Sequence, residues 1–436
     1  MGHLVGKDIY QRLGSKLDGL TVRTPWNDTF YGIMKALYSA DEAEVVLRMP
    51  YSLSDFERLE KATGFEGARL QKILESLCSK GLIMDLWLND RYYYSVSPFI
   101  IGIFEFTMMR TGGGVDHKEM AGLFHEYIDG TFMPANIKDG DRVSVMRALP
   151  HEDALGEREH IEVLDYEKAS AIIDKAEKFS VGICSCRHEK LHLGQKKCDV
   201  PLEKCSSFGM AADYLIRNKL AREVSKSEML DNLQSSKEMG LVLNADNVKN
   251  NISFICHCCK CCCHPLQAIS KHGYTQVVVT SNYIAHTEMD KCKGCGKCAK
   301  ACPIDAIEMR PVAEPKPKAR KKDPRINTDV CLGCGVCALK CETGALKLVN
   351  RGQRVLHPET TFERIILQCL EKGTLQNQLF DNPDSKTHEF MRGFMGGFLR
   401  LGPVKRALMS ETLRSSFLGA MKKGVVKQGK GWVLDI

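Results

Sequence analysis

Between Phe30 and Tyr38 the apolar residues Phe30, Ile33, Met34, Leu37 and Tyr38 recur at the spacing of one helix face. A short helix is expected next, over Glu42 to Arg48. Ser54-x-x-Glu57 reads as a capping box that opens a further helix with Phe56 and Leu59 inward, and Thr63-Gly64 breaks it. Leu70, Ile73, Leu74 and Leu77 mark another helical face, Cys78 continues its stripe, and Gly81 stops it. Two β-rich runs, Leu82 to Leu88 and Arg91 to Val96, flank the two-residue hairpin turn Asn89-Asp90.

Helix, helix, turn, helix, hairpin is the order of a winged helix-turn-helix, placed at residues 26–110. A helix over Glu167 to Lys178 follows, with Ala169, Ile172, Ile173 and Ala176 inward. Phe179 to Ile183 and Ser253 to Ile255 read as short strands, Phe208 to Asn218 as a helix, and Pro358 to Lys372 as a helix carrying Cys369. From Glu389 onward, Phe390, Phe394, Phe398, Leu401, Leu408, Met409, Leu413, Phe417 and Met421 form an apolar helical face, with Arg392, Arg400, Lys405, Arg406 and Arg414 between. This tail is expected to pack on its own core. Docking on a partner, or peripheral contact with an anionic membrane, is the alternative.

At 436 residues the chain has room for two to four domains. No apolar run approaches the ~18–20 residues of a membrane span; the best is Phe99 to Phe104. Met1 to Gly6 lacks a signal-peptide pattern and residue 6 is not Ser or Thr, so neither secretion nor myristoylation is expected. The expected location is cytoplasmic. The net charge of +7 is uneven. Arg310 to Arg325 has seven basic and two acidic residues, and Arg351 to the end has fourteen and eight. Such faces steer acidic partners or are plain solvated surface. Residues 26–110 carry nine basic and twelve acidic residues, a poor balance for reading DNA. A docking role is expected there, and nucleic acid is not an expected partner.

The strongest chemical signal is Cys292-x2-Cys295-x2-Cys298-x3-Cys302-Pro303, followed by Cys331-x2-Cys334-x2-Cys337-x3-Cys341. Three thiolates at this spacing wrap one face of an iron–sulfur cube, and the fourth ligates the partner cluster. One [4Fe–4S] cluster is therefore expected on Cys292, Cys295, Cys298 and Cys341, the other on Cys331, Cys334, Cys337 and Cys302. Zinc knuckles use two separated cysteine pairs instead. The twenty cysteines, at metal-ligand spacings in a long chain without a leader, are expected as reduced thiolates, which points to an anaerobe or a strongly reducing cytosol.

From about Thr287 to Val349 the chain resembles the bacterial-type dicluster ferredoxin. Lys293, Gly294, Gly296 and Lys297 match that family's spacers, and Cys302-Pro303-Ile304-Asp305-Ala306-Ile307 its post-cluster turn. Two departures stand out. Glu342 follows Cys341 where the family usually has Pro, and the basic stretch Arg310 to Arg325 replaces a short hairpin. The fold class expected overall is α+β multidomain: the winged helix-turn-helix at 26–110, a cysteine-rich α/β domain at 120–280, the ferredoxin-like dicluster domain at 285–350, and a helical tail at 358–436.

In the α/β domain, one strand delivers Cys184-Ser185-Cys186-Arg187, with Cys198 and Cys205 following in a loop. The other delivers Cys256-His257-Cys258-Cys259-Lys260-Cys261-Cys262-Cys263-His264. Cys184, Cys198 and Cys205 with Cys256 or Cys258 form the best set for a third cluster, and Cys186 is a substitute for Cys184. The remaining cysteines, with His257 or His264, would hold a fourth cluster, another metal, or stay as reactive thiols. Arg187 and Lys260 would depress thiol pKa values and offset cluster charge. This order is similar to that of large ferredoxin-like proteins of anaerobic bacteria. His188, His192, Cys78 and Cys369 are left out as ordinary surface or core residues.

No dinucleotide fingerprint, Walker loop or Ser-His-Asp arrangement is present, and Thr111-Gly112-Gly113-Gly114 lacks the flanking strand and helix a phosphate loop needs. No catalytic residue is assigned. The first expectation is an iron–sulfur electron carrier, or the electron-transfer subunit of a larger redox complex, working with redox protein partners. The alternatives are a ferredoxin-fed disulfide or sulfur-transfer reductase using a thiol of the Cys256 to Cys263 run, and a redox-sensing transcription regulator.

Overall fold

A computed structural model describes residues 8–112, 114–139, 143–312 and 320–435. Met1 to Gly6, Gly113 and the centre of the basic stretch, residues 313–319, lie outside the described residues. The chain is a mixed α+β assembly of packed units.

The N-terminal unit packs the helices Ile9–Asp18, Asp28–Leu37, Ala40–Arg48, Phe56–Thr63 and Gly67–Ser79 on a small antiparallel sheet. Its strands run in the order Ser54–Asp55, Arg91–Val96, Ile83–Leu88. Asn89 and Asp90 both take positive φ, 49° and 58°, as a type I′ hairpin turn requires. The expected capping box at Ser54 is corrected. Ser54 is paired to Tyr94 as strand, so the helix starts a residue later and the Asp55 carboxylate caps it by accepting from Arg58 N. A capping box does form between Ser39 and Glu42. The core of this unit also takes in Leu13, Leu17, Phe124 and Tyr127, the last stacked on Phe30 with ring centroids 4.9 Å apart.

The central unit is a seven-stranded sheet in the order Val278–Val279, Met146–Leu149, Val242–Asp246, Phe254–Cys258, Glu203–Phe208, Phe179–Ile183, Ala221–Glu223. Only the first pair is parallel. The helix expected over Glu167 to Lys178 is shorter, Ala169–Lys175, because the chain turns extended at Ala176 to enter strand Phe179–Ile183. Strand Phe254–Cys258 extends beyond the expected Ser253 to Ile255 and carries two of the cysteines within it.

The ferredoxin-like unit has two two-stranded sheets, Tyr283–Thr287 with Leu346–Asn350 and Ile307–Pro311 with Lys322–Ile326, plus the short helices Lys297–Ala301 and Val336–Leu339. Its core is continuous with that of the central unit: Cys258 and Cys263 pack in one cluster with Cys302, Cys331, Cys334 and Cys337.

The tail comprises Thr361–Lys372, Lys386–Leu399, Gly402–Met409 and Glu411–Lys427 among its helices. The first starts three residues after Pro358. Leu408, Met409, Phe417 and Met421 pack inward, whereas Phe390, Phe394, Phe398 and Leu401 stay exposed. Asp381 is held by Arg58 through both carboxylate oxygens at 2.8 Å, which ties the tail to the N-terminal unit. Among the described residues no helix is long and apolar enough to cross a membrane.

Cations that a nucleic-acid reader would leave free are paired within the N-terminal unit. Arg69 contacts Asp41 at 2.6 Å and Lys80 contacts Glu42 at 2.7 Å. The full-length protein is therefore expected not to retard duplex DNA in a low-salt mobility-shift assay. Salt-sensitive retardation tighter than about micromolar would contradict this reading of the surface, since that is the tight end of ordinary non-specific binding.

Candidate iron–sulfur and thiol sites

Two similar loops present the ferredoxin-type cysteines. Each contains a glycine where the backbone of another segment closes in. A Cβ at Gly294 would lie 2.3 Å from the Lys322 carbonyl oxygen, and one at Gly333 would lie 2.1 Å from that of Tyr283. Both residues have positive φ, so a side chain is excluded twice over. Backbone N–H groups point at sulfur: Ala306 N donates to Cys302 Sγ at 3.2 Å and Gly294 N to Cys292 Sγ at 3.4 Å. Such donors suit thiolates bound to iron.

The two halves differ in burial. Cys295 is exposed and Cys292, Cys298 and Cys341 are half-buried, whereas Cys302, Cys331, Cys334 and Cys337 are all buried. Burial pushes the Cys334 thiol up to about 12. Burial also drives Cys337 well above its ordinary range, with further contributions from Cys334, Cys331 and Cys302. Cys302 packs in the same buried core as Cys331, Cys334 and Cys337. Glu342 forms an ion pair with Lys297 across the exposed end.

In the central unit, alternation along strand Phe254–Cys258 puts Cys256 and Cys258 on one face and His257 on the other. On the first face the thiols gather closely enough to perturb one another's ionisation, Cys256 with Cys205 and Cys258, and Cys263 with Cys258 and Cys186. Cys184 lies within electrostatic reach of Cys186 and Cys258. Cys258 is the member drawn well below the ordinary thiol range, first by Cys256 and Cys263, and also by Asn244, whose Nδ2 donates to its sulfur at 3.3 Å. Cys263 reaches this group because Cys259 to Cys262 form a turn and Cys263 opens the helix His264–His272.

The turn carries a second group. Cys198, Cys259, Cys261 and Cys262 have their sulfurs within 4.8 Å of one another. The set expected for a third cluster is thus divided. Cys184, Cys186, Cys205, Cys256 and Cys258 converge, joined by Cys263, while Cys198 lies with the turn. Neither histidine joins a thiol group. His257 Nε2 pairs with Ser206 Oγ at 2.8 Å and His264 Nε2 with Glu189 at 2.5 Å. His188 and His192 hydrogen-bond each other at 2.9 Å.

Arg187 lies between the two groups with no exposed surface. It donates to the carbonyls of Pro201 and His257 at 2.9 Å and faces Cys259 Sγ at 3.8 Å. Burial opposes its charge, but Cys184, Cys259 and Cys258 hold it protonated. Burial also opposes the charge on Glu189, yet His264, His125 and Lys190 keep its pKa at about 2.

A cavity of about 1330 Å³ has Cys184, Cys186, Cys205, Cys256 and Cys258 in its lining. Glu105 also lines it; burial pushes this carboxyl up to about 7, although it accepts from Gly102 N at 3.0 Å. Ile101, a β-branched residue at φ 41°, marks a strained backbone beside it. Sequence reading missed Glu105, which carries no motif, and left Cys259, Cys261, Cys262 and Cys263 open between a fourth cluster, another metal and reactive thiols. The Pro265 that follows His264 was the available signal for a helix start at the end of the cysteine run.

A stretch of 50 residues is 48% identical to pyruvate synthase subunit PorD of Thermotoga maritima, covering 12% of this chain and 42% of that protein. The chain thus spans less than half the length of this relative. No solved structure matches. Residues 291–345 match the family described as the 4Fe-4S dicluster domain, and with their eight buried or half-buried to exposed cysteines they constitute an iron–sulfur domain inside a longer chain.

Proposed function

We propose that this protein is the electron-transfer subunit of a redox complex, passing single electrons from its surface to a buried thiol-ligated centre. The carrying observation is the gradient of burial from exposed Cys295, through buried Cys302, Cys331, Cys334 and Cys337, to Cys258 and Cys263 in the same continuous core. Cys292, Cys295, Cys298 and Cys341 would hold the outer cluster, and Cys331, Cys334, Cys337 and Cys302 the inner one. Clusters whose irons all carry cysteine supply one-electron transfer without an open position for substrate.

The convergent group Cys184, Cys186, Cys205, Cys256, Cys258 and Cys263 would hold a third cluster. Lys260 connects the two regions, with its Nζ 3.3 Å from the Cys302 carbonyl oxygen and an ion pair to Asp305. Near the outer cluster, Lys293, Lys297, Arg320, Lys321 and Lys322 would favour an acidic redox partner. The likeness to a pyruvate synthase subunit supports membership of a multi-subunit redox enzyme. The N-terminal helices and three-stranded sheet are read as a winged-helix-like docking module, and the exposed Phe390, Phe394 and Phe398 as a second contact surface for the partner.

One observation favours a second reading, the ferredoxin-fed reductase: the cavity brings Glu105 and strained Ile101 beside the convergent thiols. There the carboxyl would supply a proton and a thiol of the run would react with the substrate.

Crossed ligation is checked by EPR of Cys302→Ser. The expected change is in the signal of the cluster on Cys331, Cys334 and Cys337, with the other cluster intact. The reverse pattern contradicts the assignment. Differential alkylation of the anaerobic holo-protein separates the two readings. A carrier should show no fast iodoacetamide labelling between Cys256 and Cys263, because sulfur bonded to metal is a poor nucleophile. One or two of these residues labelling fast at constant iron content would make the reductase the better account.

A further inference from the structure

Cys198, Cys259, Cys261 and Cys262 are too close together for a cluster. Cys198 and Cys259 sulfurs are 3.7 Å apart, Cys261 and Cys259 3.9 Å, and Cys261 and Cys262 3.5 Å. A single tetrahedral ion with bonds of about 2.3 Å to four sulfurs places them about 3.8 Å apart, the edge of that tetrahedron. A four-iron cube sets its cysteine sulfurs much wider, roughly 6 Å, because each stands one bond outside the iron core. The separations are also too long for disulfides.

A second observation points to the same place. Arg187 is fully buried, and among the described residues it has no carboxylate partner; its Nε has no hydrogen-bond partner at all. A buried cation needs a compensating charge. Four thiolates around a divalent ion carry a net negative charge, and Cys259 Sγ is the sulfur that faces the guanidinium. Cys198, Cys259 and Cys261 also line a smaller cavity in which Lys197, Lys271 and Lys340 outnumber the one carboxylate, Asp305, which is paired to Lys260.

We infer that Cys198, Cys259, Cys261 and Cys262 bind one tetrahedral divalent metal ion, separate from the iron–sulfur centres. Closed four-cysteine sites are characteristic of structural zinc, so zinc is the ion expected. The site leaves no position for substrate. Its role is to clamp the loop bearing Cys198 to the Cys259 to Cys262 turn. That clamp fixes where the chain leaves Cys258 and where Cys263 returns, and so keeps the convergent thiols in place. The inference does not depend on the electron-transfer reading.

The test is metal analysis of the full-length holo-protein purified anaerobically, beside Cys198→Ser and Cys261→Ser. The expected result is one zinc per chain in the parent, zinc lost in both variants, and the EPR of the ferredoxin-type clusters unchanged. Expression in cobalt-supplemented medium gives a readout that needs no variant: the ligand-field bands of tetrahedral, sulfur-ligated cobalt should appear in the parent. A single iron with a mononuclear high-spin signal would keep the site and change the ion. Additional iron with acid-labile sulfide that disappears in Cys198→Ser, or no metal beyond the cluster iron and no cobalt bands, would overturn the inference.

Discussion

Strand Phe254–Cys258 is hydrogen-bonded on both edges, to Val242–Asp246 and to Glu203–Phe208, and the rest of the central site follows from that pairing. A strand held on both sides cannot slip register without moving every side chain to the opposite face. Its two-residue period therefore sorts Cys256 and Cys258 from His257, and its neighbour brings Cys205 alongside. The turn after Cys258 closes within four residues, with Cys263 N bonded to Cys259 O at 3.2 Å. One short segment thereby feeds two thiol groups, one on the sheet face and one in the turn.

Charge is the second constraint. Grouped thiolates in a water-poor interior repel one another and need cations close by. Arg187 supplies one between the two groups, and Lys260 links the turn to the carbonyl of Cys302. Buried Glu189, Lys190 and His264, with half-buried His125, form a network that joins helix Ser185–His192 to helix His264–His272. This network braces the two segments that present cysteines. Under the proposed function, these cations offset cluster charge locally and the exposed Cys295 end is the point of contact for a partner.

The parts legible in the sequence were those set by neighbours along the chain. The dicluster motif is local, with three cysteines in each half separated by two residues, and the family match coincides with it. The apolar faces of Asp28–Leu37 and Gly67–Ser79 are likewise helix-periodic, with Phe30, Ile33, Leu70 and Leu74 wholly buried. Sequence reading was weaker where tertiary pairing decides the outcome. Ser54 looked like a helix cap, but strand pairing with Tyr94 moved the cap to Asp55. Cys198 looked like a partner of Cys184 and Cys205, but the path of its loop carries it to the turn instead. Nothing local announces that Glu105, distant in sequence from every cysteine motif, lines the same cavity.

The central claim is that the ferredoxin-type clusters deliver electrons to a centre held by the convergent cysteines. The most direct measurement is low-temperature EPR of the fully reduced full-length protein, compared with a Cys205→Ser and Cys263→Ser double variant. The account predicts that signals of the inner ferredoxin-type cluster are broadened and split by a third nearby paramagnet in the parent, and that this coupling vanishes in the variant. Identical spectra from the two proteins, each with its ferredoxin-type iron intact, would contradict it.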